Sequence, residues 1–316
     1  MTTQLTPLGE PELEGSSLSA RLRPRRRAAA PAEPDAGNAS WLVKIVVALI
    51  CLLWIVPTVG IFITSFRKTD DANSTGWWHV FLSPQNLTRL TFENYHQALT
   101  SDVANIGQAF VNSFAIALPA TVIPILFAAF AAYAFTFMQF RGRDFMFIVI
   151  VSLLVVPNQV AFVPILKLYS NFGISGTFAS VWLFHAGFAM PLAIYILRNY
   201  MSTLPKEVIE SAKIDGASHF QTFWRLIIPM SVPALASFAI FQFLWVWNDL
   251  LVALIFIGSG PNQPLPLAVN NLLGQQGQGW QLLTAGGFIM MIVPIVVFLT
   301  LQRFFVRGLT AGSVKG

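Results

Sequence analysis

The sequence predicts an all-α integral membrane protein with six transmembrane helices. Hydrophobic residues make up 55% of the 316 residues and charged residues only 10%, whereas an ordinary soluble domain is roughly 25% charged. The mean hydropathy is +0.64. Six apolar runs approach or exceed the roughly 20 residues that span a bilayer. These observations exclude a soluble globular protein, a disordered chain and, with a single cysteine, a disulfide scaffold.

The predicted spans divide the chain into a simple series of segments. The spans cover residues 41–66, 106–138, 145–166, 178–197, 231–257 and 282–305. Residues 1–40 are rich in Pro, Ala, Arg and acidic residues and are expected to form a disordered cytoplasmic tail. Residues 67–105 form an external segment, in which Trp77 and Trp78 suit the membrane interface. A five-helix core at 106–305 and a C-terminal tail at 306–316 complete the chain.

The basic residues set the predicted orientation. Alternation of the six spans places 15 of the 19 Lys and Arg residues on one side of the membrane and four on the other. Under the positive-inside rule the richer side faces the cytoplasm, so both termini are expected there. The net charge is +5, but membrane topology accounts for the positions of the basic residues. They form no separate basic stripe that could bind nucleic acid, so no nucleic-acid partner is expected.

The cytoplasmic loop at 199–229 is patterned as a folded element rather than a plain connection. Its first part predicts a helix over 205–214, because Pro205 suits a first helical turn. Ser202 or Thr203 is expected to be the N-cap of that helix.

The second part of this loop carries a stop signal and a new start. Gly216 follows Asp215 and ends the helix, because glycine accepts the left-handed conformation at a helix C-terminus. Ser218 is then placed to cap a second short helix. The spacing predicts a rigid bend between the two helices.

Several residues of this loop resemble a motif of a known family. In residue type and spacing they are similar to the EAA loop of ABC importer permeases: Glu210-Ser211-Ala212, Asp215-Gly216-Ala217, Leu226, Ile228 and Pro229. Ser211 in place of the second Ala and Ile228 in place of Leu are mild departures. Further segments resemble carbohydrate-uptake permeases, namely 91–95, 112–113, 131–135, 140–143, 247–249 and a tail at 308–316 similar to that of the shorter permease subunit of maltose-type importers.

The resemblance implies a fold, a location and a set of partners. The fold is that of a type I ABC importer permease with a cytoplasmic coupling helix, in a bacterial or archaeal cytoplasmic (inner) membrane. The partners are a second permease subunit in a heterodimer, two ABC ATPase subunits, an external sugar-binding protein and the sugar itself. The chain has no Walker A pattern, so ATP and Mg are expected on the ATPase. No cofactor, metal site or enzymatic activity is expected in this chain.

The same resemblance assigns candidate site residues. In the family the EAA helix docks onto an ATPase subunit, which implies coupling roles for Glu207, Glu210, Ser211, Ala212, Asp215, Gly216 and Ala217. The matching tail implies ATPase contacts for Thr310, Ala311, Gly312, Val314 and Lys315. A short rigid helix with small residues and a carboxylate fits helix-in-groove recognition. The alternatives are an amphipathic helix on the lipid surface and a free polar tail.

Two interpretations remain open for the polar end of the fifth predicted span. An Asp at mid-bilayer costs about 2.5–3.5 kcal/mol on insertion scales. Trp245, Trp247, Asn248 and Asp249 could line the translocation path, because aromatic faces and amides suit sugars. Alternatively, Asp249 lies near the outer interface, where aromatic and polar groups anchor helices.

The competing function class is an ion-coupled secondary transporter working without an ATPase. Such a transporter would need ion-coupling groups and broken helices near the membrane midplane. Apart from Asp249 and His185, the predicted spans offer almost no titratable groups, so the importer permease is favoured. Maltose-type oligosaccharides, other α-glucosides, glycerol-linked sugars and monosaccharides all remain candidate substrates. The loop at 258–281 is expected to face the binding protein.

Overall fold

A computed structural model describes residues 40–100, 105–272 and 279–310, with side chains described as far as residue 301. Within these ranges the structure contains helices and no strands. The α-helices are α1 (Trp41–Thr64), α2 (Thr69–Ser74), α3 (Pro84–Leu87), α4 (Glu93–Thr100), α5 (Ile106–Phe137), α6 (Arg143–Ser152), α7 (Asn158–Asn171), α8 (Phe178–Met201), α9 (Lys206–Ile214), α10 (His219–Thr222), α11 (Ile228–Trp247), α12 (Leu250–Phe256), α13 (Leu265–Asn270) and α14 (Trp280–Thr310). Short 3-10 helices lie at Trp77–Phe81 and Leu153–Val155, and a π-helix at Phe223–Ile227.

The chain divides into two compact units, residues 1–54 and 55–316. The described part of the first unit is the beginning of α1, whose side chains are exposed throughout. This surface, on which Lys44 is the one charged residue of 41–54, is apolar enough for a helix surrounded by lipid. The second unit contains the remainder of α1 and all the other helices, and it is described in the following paragraphs.

Five helical segments of the described chain are long and apolar enough to cross a membrane. They are Trp41–Thr64, Ile106–Phe137, Phe178–Met201, the continuous stretch His219–Trp247 and Trp280–Leu301. A sixth span exists only if the pair Arg143–Val155 and Asn158–Asn171, bent by 98°, counts as one. The described part of the chain therefore carries five or six candidate spans in an all-helical fold.

The predicted span at 145–166 is divided by a sharp bend, because the chain turns at Pro157. The residue before a proline is pushed out of the helical region, and Val156 accordingly has a ψ of 115°. Pro157 itself is extended and begins α7 as its N-cap. The result is the 98° bend between the two halves.

The predicted span at 231–257 is wrong at both ends. The helix starts earlier, at His219, and stops at Trp247, after which α12 begins as a separate helix. The early start passes Pro229, whose ring would crowd the carbonyl of Arg225 in a regular α-helix. The π-helix at Phe223–Ile227 widens this turn, so the helix continues through the proline.

The bundle is held together largely by α5 and α8. The two helices meet through small buried residues, among them Ala120, Ala128 and Ala132 of α5 and Ala189 and Ala193 of α8. Small side chains allow close approach of helices in lipid.

Part of the predicted loop at 258–281 forms a buried helix, α13. Leu265 and Ala268 of α13 are completely buried. The Nδ2 of Asn112 donates hydrogen bonds to the carbonyls of Pro261 and Gln263 at 2.8 and 3.0 Å. The amide of Leu265 donates to the Ser113 hydroxyl at 2.7 Å. Two adjacent polar residues of α5 therefore hold the α12–α13 connection against the bundle.

The segment at 67–100 is organised around the buried Arg67. Its guanidinium donates to the carbonyl of Thr75 at 2.8 Å and also contacts the hydroxyl of Thr75 and the carbonyl of Asp71. Burial lowers the pKa of Arg67, and the charge of Asp71 opposes this effect. Trp78 is exposed, as an interfacial position requires, whereas Trp77 is half-buried and meets Trp78 edge-on.

Candidate functional site

The first helix of the EAA-like loop is α9, and its start differs from the prediction. Pro205 is the N-cap, with no side-chain hydrogen bond to the helix. Ser202 and Thr203 instead donate to the carbonyls of Asn199 and Tyr200, at 2.6 and 2.7 Å, so they belong to the end of α8. The fixed φ of proline organises the first turn without a capping side chain.

The end of α9 agrees with the predicted stop at Gly216. Gly216 has a φ of +79° and follows Asp215, the C-cap residue. The amide of Ala217 donates to the carbonyl of Ala212 at 2.9 Å, and the amide of Gly216 to the carbonyl of Lys213 at 3.1 Å. These two bonds make a complete Schellman motif, which fixes the direction of the chain as it leaves the helix.

One face of α9 is anchored and the opposite face is free. Ile209 is 3% exposed and packs into a core cluster with residues of α5, α8 and α11. Glu207, Glu210 and Ser211 are exposed, and the Ser211 hydroxyl donates to the carbonyl of Glu207 at 2.8 Å. The candidate coupling residues therefore lie on a helix that is fixed from behind and accessible in front.

The second helix, α10, ties this loop to α5. Ser218 accepts from the amide of Gln221 while its own amide donates to the Gln221 side chain, a capping box that confirms Ser218 as the cap. The Tyr133 hydroxyl lies 2.9 Å from Nδ1 of His219. Phe223 stacks on Phe130 with 4.5 Å between ring centroids. Sequence reasoning missed Tyr133 and His219, because they are 86 residues apart and carry no local signal.

An exposed apolar patch accompanies the candidate residues. Ile214 is 86% exposed, Phe220 67% and Trp224 41%. All three lie within the EAA-like loop at 199–229, and the rings of Phe220 and Trp224 meet edge-on with centroids 6.2 Å apart. Exposed apolar groups near charged residues are typical of a protein contact surface.

Trp247 lies in the packed interior at the other end of α11. It is 1% exposed and packs edge-on against Phe114 and Phe110, with centroid distances of 4.9 and 5.9 Å. Its Nε1 donates to the carbonyl of Met290 at 3.2 Å. The indole thus joins α5, α11 and α14.

The neighbouring polar residues occupy the break between α11 and α12. Asp249 is not within a span: it is the N-cap of α12, and its Oδ1 accepts from the amide of Val252 at 3.0 Å. Asn248 is exposed and donates to the carbonyl of Leu244 at 2.7 Å. Trp245 is half-buried and packs edge-on against the ring of His185.

The remaining candidate residues belong to the C-terminal tail. Thr310 is the last residue of α14. Ala311, Gly312, Val314 and Lys315 lie outside the described residues, as does the N-terminal segment 1–39. Over the part of the chain that the structure describes, no cluster of three or more His, Cys, Asp or Glu residues could hold a metal ion.

A bundle of membrane-length helices with a short, rigidly anchored and exposed helix at one end defines the class of transport permeases. Residues 124–311 match the family described as "Binding-protein-dependent transport system inner membrane component". The chain belongs to this family, and it is the translocation subunit of an ABC importer rather than an enzyme.

Curated relatives cover most of this chain. The osmoprotective compounds uptake permease protein GgtD of Synechocystis sp. is 53% identical over 274 residues, which are 86% of this chain and 91% of the relative. The alpha-glucoside transport system permease protein AglG of Rhizobium meliloti is 51% identical, over 80% of this chain and 68% of the relative. The trehalose transport system permease protein SugB of Mycobacterium tuberculosis is 32% identical, over 83% and 93%.

A solved structure shares the fold. It is that of a bacterial ABC transporter involved in the import of the acidic polysaccharide alginate, and the match has a TM-score of 0.69 at 18% identity. It covers 84% of this chain and 95% of the matched chain. The likeness confirms the type I importer permease fold.

Proposed function

We propose that this chain is one of two permease subunits of an ATP-driven importer for α-glucosides or related osmoprotective compounds. Relatives with more than half of their aligned residues identical are named for alpha-glucoside transport and for uptake of osmoprotective compounds. The observation that carries the proposal is the Schellman-terminated helix α9, fixed by Ile209 and exposed along Glu207, Glu210 and Ser211. A helix of this kind fits a groove on a separate protein.

The proposed partners are a second permease in a heterodimer, two ABC ATPase subunits and an external binding protein. The family description and a solved alginate transporter in complex with a pentasaccharide-bound periplasmic protein support the binding protein. The patch of Ile214, Phe220 and Trp224 supports an ATPase contact beside α9. ATP and Mg are assigned to the ATPase subunits.

The proposed orientation places α9 and both termini in the cytoplasm. It is supported by the 15 to 4 distribution of Lys and Arg between the two sides. The membrane is then the cytoplasmic membrane of a bacterium or archaeon. The ends of α5 and α8 that carry α9 face the ATPase.

The proposed mechanism is alternating access driven through α9. Closure of the ATPase subunits moves α9, and the bend at Gly216 passes the displacement to α10. From there the Tyr133–His219 contact and the Phe130–Phe223 stack connect the movement to α5. Because α5 packs along α8, the displacement reaches the helices that surround the solute.

The translocation path is proposed to use Asn248 and Trp245. Both retain exposed surface at the end of α11. Trp247 packs in the core and Asp249 caps α12. These two residues therefore position Asn248 and Trp245 without lining the path themselves. The C-terminal residues Thr310, Ala311, Gly312, Val314 and Lys315 are proposed to contact the ATPase.

Replacement of Glu210 tests the coupling role. The carboxylate is exposed, so Glu210→Gln removes a charge without disturbing the core. An ion pair with a basic group of the ATPase is worth about 1 kcal/mol, so uptake in vesicles is expected to fall about fivefold. Glu210→Asp serves as the charge-preserving control. Full uptake by the Glu210→Gln variant would show that Glu210 takes no part in the coupling contact.

A further inference from the structure

A cavity lies along one flank of α9, where the buried Ile209 and the exposed Glu210 both border it. Its volume is about 380 Å³, and its walls come from the ends of α5, α6, α8 and α9. The cationic side chains of Arg143, Arg198, Lys206 and Lys213 line it, and Glu210 contributes the one carboxylate of the lining. The lining therefore carries a clear excess of positive charge.

The described partners of these cations leave that excess in place. The Nε of Arg143 lies 3.0 Å from Oδ1 of Asp144, whose side chain is 78% exposed. Arg198 stacks over the ring of Phe147 at 4.7 Å, a contact that adds no negative charge. Among residues that the structure describes, Lys206 and Lys213 take part in no ion pair. Two half-buried guanidinium groups and two exposed ammonium groups thus converge on one space.

The rest of the lining combines the polar Thr136, Gln139 and Ser202 with apolar side chains, and it continues onto an exposed apolar surface. Phe137 and Leu204 form part of the wall. A second cavity, of about 450 Å³, shares Arg143 and reaches Phe145. Phe145 is 72% exposed and Met146 beside it 49%, so an acyl chain could lie along α6 while a charged group sits at Arg143.

We propose that this basic cavity binds the phosphate of an anionic phospholipid headgroup. Basic pockets between transmembrane helices recognise such headgroups through charge, while the adjoining apolar surface holds the chains. The continuity with α6 favours a lipid over a soluble phosphate compound. The bound phosphate neutralises Lys206 and Lys213. The two lysines then no longer attract the Glu210 carboxylate towards the cavity, so the carboxylate stays available to a partner protein. The site does not depend on which solute is transported.

The test uses the assembled transporter in phosphatidylcholine nanodiscs titrated with phosphatidylglycerol, with bound lipid counted by native mass spectrometry. The variant Lys206→Gln/Lys213→Gln is expected to weaken phosphatidylglycerol binding about fivefold for each lysine removed. Arg141→Gln/Arg225→Gln is the matched control, because both arginines are exposed and neither lines the cavity. Lys206→Arg/Lys213→Arg keeps the charge and should retain binding.

Three results would overturn the proposal. Equal lipid binding by the lysine variant and the arginine control would show that the cavity is not the site. Absence of retained phosphatidylglycerol from the wild-type complex would show that the cavity does not hold this lipid. Displacement of phosphatidylglycerol by inorganic phosphate at equal concentration would assign the anion to a soluble source.

Discussion

The Nε2 atom of His185 lies 3.9 Å from Oδ2 of Asp249, across the interface between α8 and the break that follows α11. The other carboxylate oxygen of Asp249 caps α12 through the amide of Val252. One side chain therefore caps the start of α12 and faces a buried histidine. This arrangement explains why an aspartate is retained among apolar residues without being placed inside a span.

The cap made by Asp249 is predicted to matter more than its charge. Asp249→Ala should lower the stability of the purified complex by about 1 kcal/mol, the usual value of an N-cap. Asp249→Asn should preserve most of it, because Asn caps as well as Asp. Thermal unfolding in detergent measures both variants. Equal destabilisation by the two changes would show instead that the charge facing His185 dominates.

The two adjacent glycines of α14 are predicted to behave differently. A Cβ on Gly286 would lie 2.9 Å from Leu272 Cδ1 and 3.2 Å from Val269 Cγ2, whereas a Cβ on Gly287 meets nothing within 4 Å. Gly286→Ala should cost about 1–3 kcal/mol through overpacking against α13. Gly287→Ala should be neutral or gain up to about 1 kcal/mol of helix propensity. Melting temperatures of the two variants show whether the close approach of α13 requires glycine at position 286, or whether any small residue is accepted there.

The bend after α9 is predicted to require the left-handed conformation of Gly216. Space is not the constraint, since a Cβ there meets nothing within 4 Å. Gly216→Ala should therefore cost about 1–2 kcal/mol of backbone strain and reduce ATP-driven uptake. Gly216→Asn should be milder, because Asn tolerates this conformation. Uptake by the alanine variant equal to the wild type would mean that the bend does not transmit force.

The C-terminal tail is predicted to contribute to coupling. Deletion of residues 311–316 should reduce ATP-dependent uptake while the chain still assembles in the membrane, because the transmembrane helices remain intact. Uptake and membrane abundance are measured together, with a same-length Gly/Ser replacement as the control. Unchanged uptake would indicate a free polar end.

The local signals of the EAA-like loop could be predicted from the sequence, whereas its anchoring could not. Gly216 and Ser218 act within a few residues of their position, so their roles as helix stop and cap follow from residue type. The N-cap predicted at Ser202 or Thr203 is wrong, because Pro205 organises the turn without any side-chain bond. The Tyr133–His219 contact depends on packing of distant elements and has no local signature.

The breaks in the predicted spans show the limit of hydropathy. The run at 145–166 is mostly apolar, and Pro157 with the polar Asn158 and Gln159 after it marks the 98° bend. Pro119 and Pro124 lie inside α5 without ending it, so a proline alone does not identify a break. The end of α11 is set by Asp249, whose capping bond competes with helix continuation. Apolar length predicts where a span lies, and side-chain hydrogen bonding decides where its helix stops.

The most direct test of the account is to identify the proteins that copurify with this chain, tagged and gently solubilised from native membranes. An ABC ATPase and a second permease are expected to copurify with the chain in a fixed ratio. The Glu210→Gln variant is expected to release the ATPase at a lower salt concentration than the wild type. Recovery of the chain alone, from a preparation in which other membrane complexes stay intact, would contradict the account and indicate a carrier that works without an ATPase.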